Sequence, residues 1–244
     1  MKPVRLLSAA LLTAAALIAR GPAGNATTDP NVLSKANQAL FAADHLASIH
    51  EPSVLVYDFE KKGSLEPGFS DTVEETITKI WPNGHKDLSF HFLTGTNHVE
   101  FQDFPDFVSN PVFMLFLERD VRELQRQTHG NALYFRTLIR QALAGSATLA
   151  PTTFDFNGAK HKGTEIRVQP YINDPSNERY PEFAKKTYIF ILSDEIPGSV
   201  YKVNAITPGP TDDQPITDES VTFREIHSSS NHAESGGDAS GKEN

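Results

Sequence analysis

Residues 110–145, NPVFMLFLERDVRELQRQTHGNALYFRTLIRQALAG, place two amphipathic helices in the middle of a chain that otherwise reads as strands and hairpins. Phe113, Leu117, Val121 and Leu124 recur at helical spacing and form one apolar stripe. Asn110 suits an N-cap, and Pro111 suits the first helical position, where its missing N–H is no loss. Gly130 suits a left-handed C′ position, and Asn131 can cap the second helix. Phe135, Leu138, Ile139, Ala142 and Leu143 then make a second core-facing stripe, closed by Gly145. Helices inside a strand pattern must bury their stripes against the sheet those strands build. The expected fold is α+β: a curved antiparallel sheet of about nine strands, with an N-terminal helix and the mid-chain helical pair packed on it.

The flanking chain supplies the strands. A first helix is expected from Asp29-Pro30 to about Ile49, with Leu33, Ala36, Leu40, Ala43 and Ala47 as its stripe and Glu51-Pro52 as its stop. Residues 54–60 read as a strand with Leu55, Tyr57 and Phe59 on one face, residues 61–72 as a loop, and Glu75 to Trp81 as the next strand. Residues 88–103 read as a hairpin turning at Thr94 to Asn97. Its alternation sets Phe92 opposite Val99, Phe90 opposite Phe101 and His91 opposite Glu100, so the apolar residues of both arms share a face. Later strands are expected at 152–157, with Phe154 and Phe156 on one face, and at 164–168, 188–192, 200–206 and 221–226. Residues 188–192, apolar on both faces, should be a central strand. Residues 172–185 and 207–219 read as loops.

Three segments are expected: a signal peptide at 1–26, one α+β domain at 27–227 and a disordered tail at 228–244. Lys2 and Arg5 precede a short apolar run from Leu6 to Ile18, followed by small residues up to Ala26, which is the layout of a secretory signal. That run is too short to span a bilayer comfortably. The tail is Ser, Gly, His, Asp, Glu and Lys with little to bury. Loss of residues 1–26 takes away three basic residues and no acid, leaving 19 basic against 31 acidic. Such a balance disfavours nucleic acid and anionic membrane surfaces, which call for basic patches. With no cysteine, disulfides, thiol chemistry and Cys-ligated zinc are excluded. Arg119, Arg122, Arg126, Arg136 and Arg140 gather on the helical pair. They suit either an anion or, as charge along a helix face usually means, a solvated surface with local ion pairs.

An exported chain with a leading helix, successive antiparallel strands and a mid-chain helical insertion resembles the periplasmic lipoprotein-carrier fold, a half-barrel that shelters acyl chains. The runs NPVFMLFLERDVREL and YIFILSDEIPGSVYKV look like signatures of an exported bacterial family. The resemblance implies a binding protein for a lipid or acyl chain in the cell envelope. No cofactor is implied.

Two classes of function compete. The first is non-catalytic binding of a hydrophobic ligand or an envelope protein partner. Its candidate residues are Tyr57, Phe59, Phe90, Phe92, Phe101, Phe154 and Phe156, with Phe104 and Phe107 nearby; they line a concave pocket if the helices leave space, and are core if the helices fill it. The second is a metal-dependent hydrolase. G-x-S-x-G, P-loop, G-x-G-x-x-G and H-E-x-x-H motifs are all missing. What remains is His91, His98 and Glu100 on the 88–103 hairpin, two imidazoles and a carboxylate that could hold zinc with a position open for water. An ordinary polar hairpin face explains the same three residues.

Overall fold

The computed structural model describes residues 33–211 and 213–228. The signal peptide and the tail beyond Ser228 lie outside the described residues. Nine strands form a single curved antiparallel sheet: β1 (Ser53–Lys62), β2 (Phe69–Ile80), β3 (Lys86–Phe92), β4 (Phe104–Phe107), β5 (Thr148–Phe156), β6 (Ala159–Val168), β7 (Thr187–Leu192), β8 (Val200–Thr207) and β9 (Thr217–Ser228). Their spatial order is β4-β3-β2-β1-β9-β8-β7-β6-β5. The last strand thus fills the gap between two meanders, pairing with β1 on one side and β8 on the other.

Side chains alternate across a strand, so the ladder register shows which residues share a face. One row runs Phe59, Val221, Val203, Phe190 and Ile166 across β1, β9, β8, β7 and β6. A second runs Tyr57, Val73 and Phe92 across β1 to β3. All eight are fully buried. Helices α2 (Val112–Thr128) and α3 (Ala132–Gly145) lie against this face. The Phe113 ring meets Phe190 edge-on at 6.3 Å, and the Arg119 guanidinium sits 4.7 Å above Phe59.

Local chemistry explains most element ends. Asn131 caps α3 by accepting from the backbone N–H groups of Leu133 and Tyr134. The start of α2 is shifted by one from expectation: Pro111 is the N-cap and Val112 the first helical residue, while Asn110, just ahead, accepts from the Val112 N–H at 3.0 Å. The left-handed residue ending α2 is His129 (φ 54°) rather than Gly130. Gly130 is needed for closeness instead: a Cβ there would stand 2.8 Å from the Phe135 ring and from Thr128 Oγ1.

Three expectations fail, each for a physical reason. The first helix is short: α1 (Lys35–Asn37) is capped by Ser34, continues as a π-helical segment Gln38–Ala42, and stops at the extended Ala43. His45 is drawn into the interior, where its Nε2 donates to Ala39 O at 2.8 Å, and a straight helix to Ile49 would forbid that contact. Strand β2 starts at Phe69, well before Glu75. Only Val73 and Ile77 of its inward positions are buried apolar residues, so its two-residue period is masked by Asp71 and Glu75. The second arm of the 88–103 hairpin does not form a strand. Val99 bridges to Phe92 as expected, but a 3-10 turn at Gly95–Asn97 precedes it, and the next ladder is β4, with Leu88 opposite Phe104. The Phe90–Phe101 and His91–Glu100 pairs are therefore absent from the ladder.

Candidate ligand-binding face

The seven aromatic candidates divide into three groups. Tyr57, Phe59 and Phe92 are fully buried beneath the helices. Phe90 and Phe101 are half-buried. Phe90 packs edge-on against Phe104 at 5.8 Å, Phe104 against Phe107 at 5.2 Å, and Phe101 against Phe92 at 5.3 Å. Phe104 and Phe107 are also half-buried. This leaves a partly exposed aromatic rim at the β3–β4 edge, continuous with the buried face through Phe92. The Arg122 guanidinium lies 5.1 Å from the Phe101 ring.

Phe154 and Phe156 stand apart from that rim. Strand β6 pairs with β7 only from Thr164 to Val168, so the tip of the β5–β6 hairpin runs past the end of β7. There Phe154 stacks on Tyr201 at 3.8 Å, and Phe156 meets Tyr201 at 6.1 Å and Phe223 at 5.6 Å. Phe223 in turn meets Tyr57 at 5.7 Å and links the two aromatic groups.

Beneath the rim lies a carboxyl that pattern reading passes over. Glu75 sits between Leu55 of β1 and Phe90 of β3 in the ladder and is fully buried. Its Oε2 accepts from the Tyr57 hydroxyl at 3.3 Å. Asn110 Nδ2 donates to the same hydroxyl at 2.9 Å and to Gly198 O at 3.1 Å. Oε1 has no hydrogen-bond partner, alone among the buried side-chain polar atoms of the described residues. Burial raises the Glu75 pKa to about 8, against the weaker opposing pull of the Tyr57 hydroxyl and the nearby Asn110 amide. The Tyr57 hydroxyl is pushed well above its usual value, first by burial and then by Glu75. The signal for Glu75 was in the sequence: Val73, Glu75 and Ile77 occupy consecutive inward positions.

The helix arginines are mostly engaged in ion pairs. Arg119 is buried, not solvated, and pairs with the buried Glu219 of β9, which also faces Lys61 at 3.4 Å. Arg122 and Arg136 both reach Glu118, at 3.3 and 2.5 Å. Arg126 bridges Glu66 and Glu123 at 2.6 and 2.7 Å. Hydrogen bonds from Lys61 and Arg126 hold the Glu66 carboxyl down at about 2. These pairs explain four of the five arginines without an anion.

The metal alternative is not assembled. His91 and His98 stack ring on ring at 4.8 Å, which points their in-plane nitrogen lone pairs along parallel planes instead of at one centre. Both His98 nitrogens are engaged, Nδ1 with Leu93 O at 3.1 Å and Nε2 with Glu100 at 3.1 Å. The bond to Glu100 raises the His98 pKa. No group of three metal-ligating side chains converges anywhere among the described residues. The hairpin reading fails at the turn, where the 3-10 segment carries Glu100 out of register with His91.

A separate concavity lies elsewhere. An open groove of about 1050 Å³ runs along the α2–α3 turn, lined by Leu133, Tyr134, Phe135, Arg179 and Tyr180 among others. Leu133 is 61% exposed there. No helix among the described residues is long and apolar enough to cross a membrane.

No family model matches the chain, and no curated protein matches it. Three solved structures match the chain at low similarity. Lipoprotein LppX of Mycobacterium tuberculosis is 11% identical with a TM-score of 0.31, covering 74% of this chain and 88% of that one. LprF of Mycobacterium bovis is 11% identical with a TM-score of 0.29, covering 80% and 94%. A LolA superfamily protein of Nitrosomonas europaea is 7% identical with a TM-score of 0.21, covering 80% and 93%.

Proposed function

We propose that this is an exported, non-catalytic binding protein of the cell envelope that takes a hydrophobic ligand, a lipid or acyl chain, onto the aromatic face of its sheet. The observation that carries the reading is the rim: Phe90, Phe101, Phe104 and Phe107 are only partly buried at the β3–β4 edge while their neighbours Phe92 and Tyr57 are fully buried. Large apolar rings in water are costly, roughly 1.5–3 kcal/mol for a whole side chain, and a contiguous set marks a binding surface. An acyl chain lying on the rim would extend the buried row and reach Phe59 and the sheet interior where α2 yields. Phe154 and Phe156 are out of phase with Leu149, the ladder partner of Ile166, so they fall on the other face of the sheet and lie outside this site.

Native mass spectrometry of gently purified protein, with titration by the neutral probe N-phenyl-1-naphthylamine, tests the reading. Bound lipid mass, or probe binding that Phe104→Asp removes, is expected. A ligand-free mass with no probe binding would overturn it. A partner protein is the second reading. It is favoured by Leu133 and Tyr134 on the open groove at the α2–α3 turn, a shape suited to a protruding apolar side chain.

A further inference from the structure

Glu75 is poorly explained as a structural residue. A buried polar atom without a partner is rare in a native protein and calls for a reason. Leu or Gln at this position would avoid an unpartnered ionisable oxygen in the middle of an apolar row. Yet the carboxyl stands where three parts of the chain meet. Through Tyr57 it reaches Asn110, which opens α2; through Asn110 it reaches Gly198 in the turn before β8. Asn110 N–H also donates to His45 Nδ1 at 3.3 Å, and His45 bonds Ser109 at 3.0 Å. The start of α2 is thus held to β1, β2, the N-terminal segment and the 193–199 turn by one short chain of hydrogen bonds.

We propose that Glu75 is a proton-controlled latch: while it is neutral the start of α2 stays seated on the sheet, and when it loses its proton that seat loosens and the aromatic interior opens at the rim. The inference concerns regulation of the binding face and rests on that reading for its purpose. Its physics is independent. A neutral carboxyl is tolerated in the interior with its single bond to Tyr57. A carboxylate needs several donors or water, and this site offers one hydroxyl and an amide already shared with Gly198. The groups facing Glu75 supply no compensating charge. Strand β1 gives Tyr57 and Leu55, strand β3 gives Phe90, the α2 start gives Asn110, and the 193–199 turn gives a carbonyl. His45, one link beyond Asn110, has its pKa lowered, chiefly by burial, and its two bonds fix a neutral tautomer, with Nε2 donating and Nδ1 accepting. Among the described residues no Lys or Arg forms an ion pair with Glu75. Water is the remaining donor, and it reaches the fully buried Oε1 only if the structure around it opens. The raised pKa places this event in the mildly alkaline range.

The test is amide hydrogen exchange over residues 110–116 of the purified chain, expressed as protection factors at about pH 6 and about pH 9 so that the intrinsic pH dependence cancels. A fall of at least about tenfold is expected in the native protein and none in Glu75→Gln, with Glu75→Leu as the second variant should Gln fold poorly. An equal fall in both variants, or no fall in the native protein, would overturn the latch. Infrared spectra of the native protein give a check that needs no variant. One protonated carboxyl band should be present at about pH 6 and gone by about pH 9, and its absence at the lower pH also counts against the latch. N-phenyl-1-naphthylamine separates this inference from the binding reading. If protection falls but the probe binds at neither pH, the latch stands and the carrier reading fails. Equal probe binding at both pH values with constant protection supports a carrier and rejects the latch.

Discussion

Lys186 Nζ lies 2.7 Å from Asp120 Oδ1, with both side chains withdrawn from solvent, and the Tyr188 hydroxyl donates to the other Asp120 oxygen at 2.6 Å. This joins the middle of α2 to β7, and Tyr171 extends it at 3.2 Å from the Tyr188 hydroxyl. Removing one partner of a buried pair strands the other charge, at a cost of about 3–5 kcal/mol, whereas removing both can be nearly neutral. Lys186→Met should therefore lower unfolding stability by about that much. Lys186→Met combined with Asp120→Leu should recover part of the loss. Urea denaturation of the three proteins checks this, and full additivity would show that the pair is not coupled.

Glu75 sets a pH dependence whose sign follows from its raised pKa. Between about 4.5, its value when unfolded, and about 8, its value when folded, the native state holds a proton that the unfolded chain has released. Stability from this group is fully present below the lower value and drains away as pH rises through the upper one. A shift of this size corresponds to something on the order of 4–5 kcal/mol across the window. Glu75→Gln should flatten the fall in stability between about pH 5 and about pH 8. Denaturant midpoints across that range, native against variant, measure it; parallel curves would place the pH dependence elsewhere.

Much of the architecture was legible in the sequence because its signals were strong and local. The α2–α3 stripes, the Asn131 cap and the alternation of residues 54–60 and 188–192 each rest on short-range periodicity. What was hidden depended on pairing across the chain. The start of strand β2 looked like a loop because polar residues occupy most of its positions, and its pairing with β1 and β3 comes from the ladder alone. Arg119 read as one arginine among five on a solvated face, and only the insertion of β9 beside β1 brings Glu219 under it. His45 looked helical because nothing local reports that Ser109 and Ala39 will bind its ring. At the candidate site, the aromatic residues were visible, but their division into buried, rim and hairpin-tip groups required the register.

The same division predicts unequal responses to truncation. Phe92 is fully buried and touches Phe101, so Phe92→Ala should leave a cavity and cost about 3–5 kcal/mol. Phe90 is half-buried beside Phe104, and with part of its surface already in water Phe90→Ala should cost only about 1–2 kcal/mol. Chemical denaturation of the two variants checks the order. Equal costs would mean that the rim is as closed in solution as the core.

The last prediction separates the rim from the groove at the α2–α3 turn as the place where an apolar ligand binds. Phe104 sits on the short edge strand β4, packed between Phe90 and Phe107, while Leu133 stands exposed on the first turn of α3. A carboxylate at either position costs little folding energy relative to a core site, because both side chains already meet water. It would, however, repel an apolar chain from the surface on which it stands. Phe104→Asp should weaken N-phenyl-1-naphthylamine binding at least about tenfold, the loss expected when one ring contact of about 1.4 kcal/mol or more is replaced by a charge. Leu133→Asp should leave probe binding unchanged. Fluorescence titration of both variants, with circular dichroism to confirm that each is folded, gives the comparison. The reverse pattern would move the ligand to the groove and leave the phenylalanine rim as an exposed flank of the core.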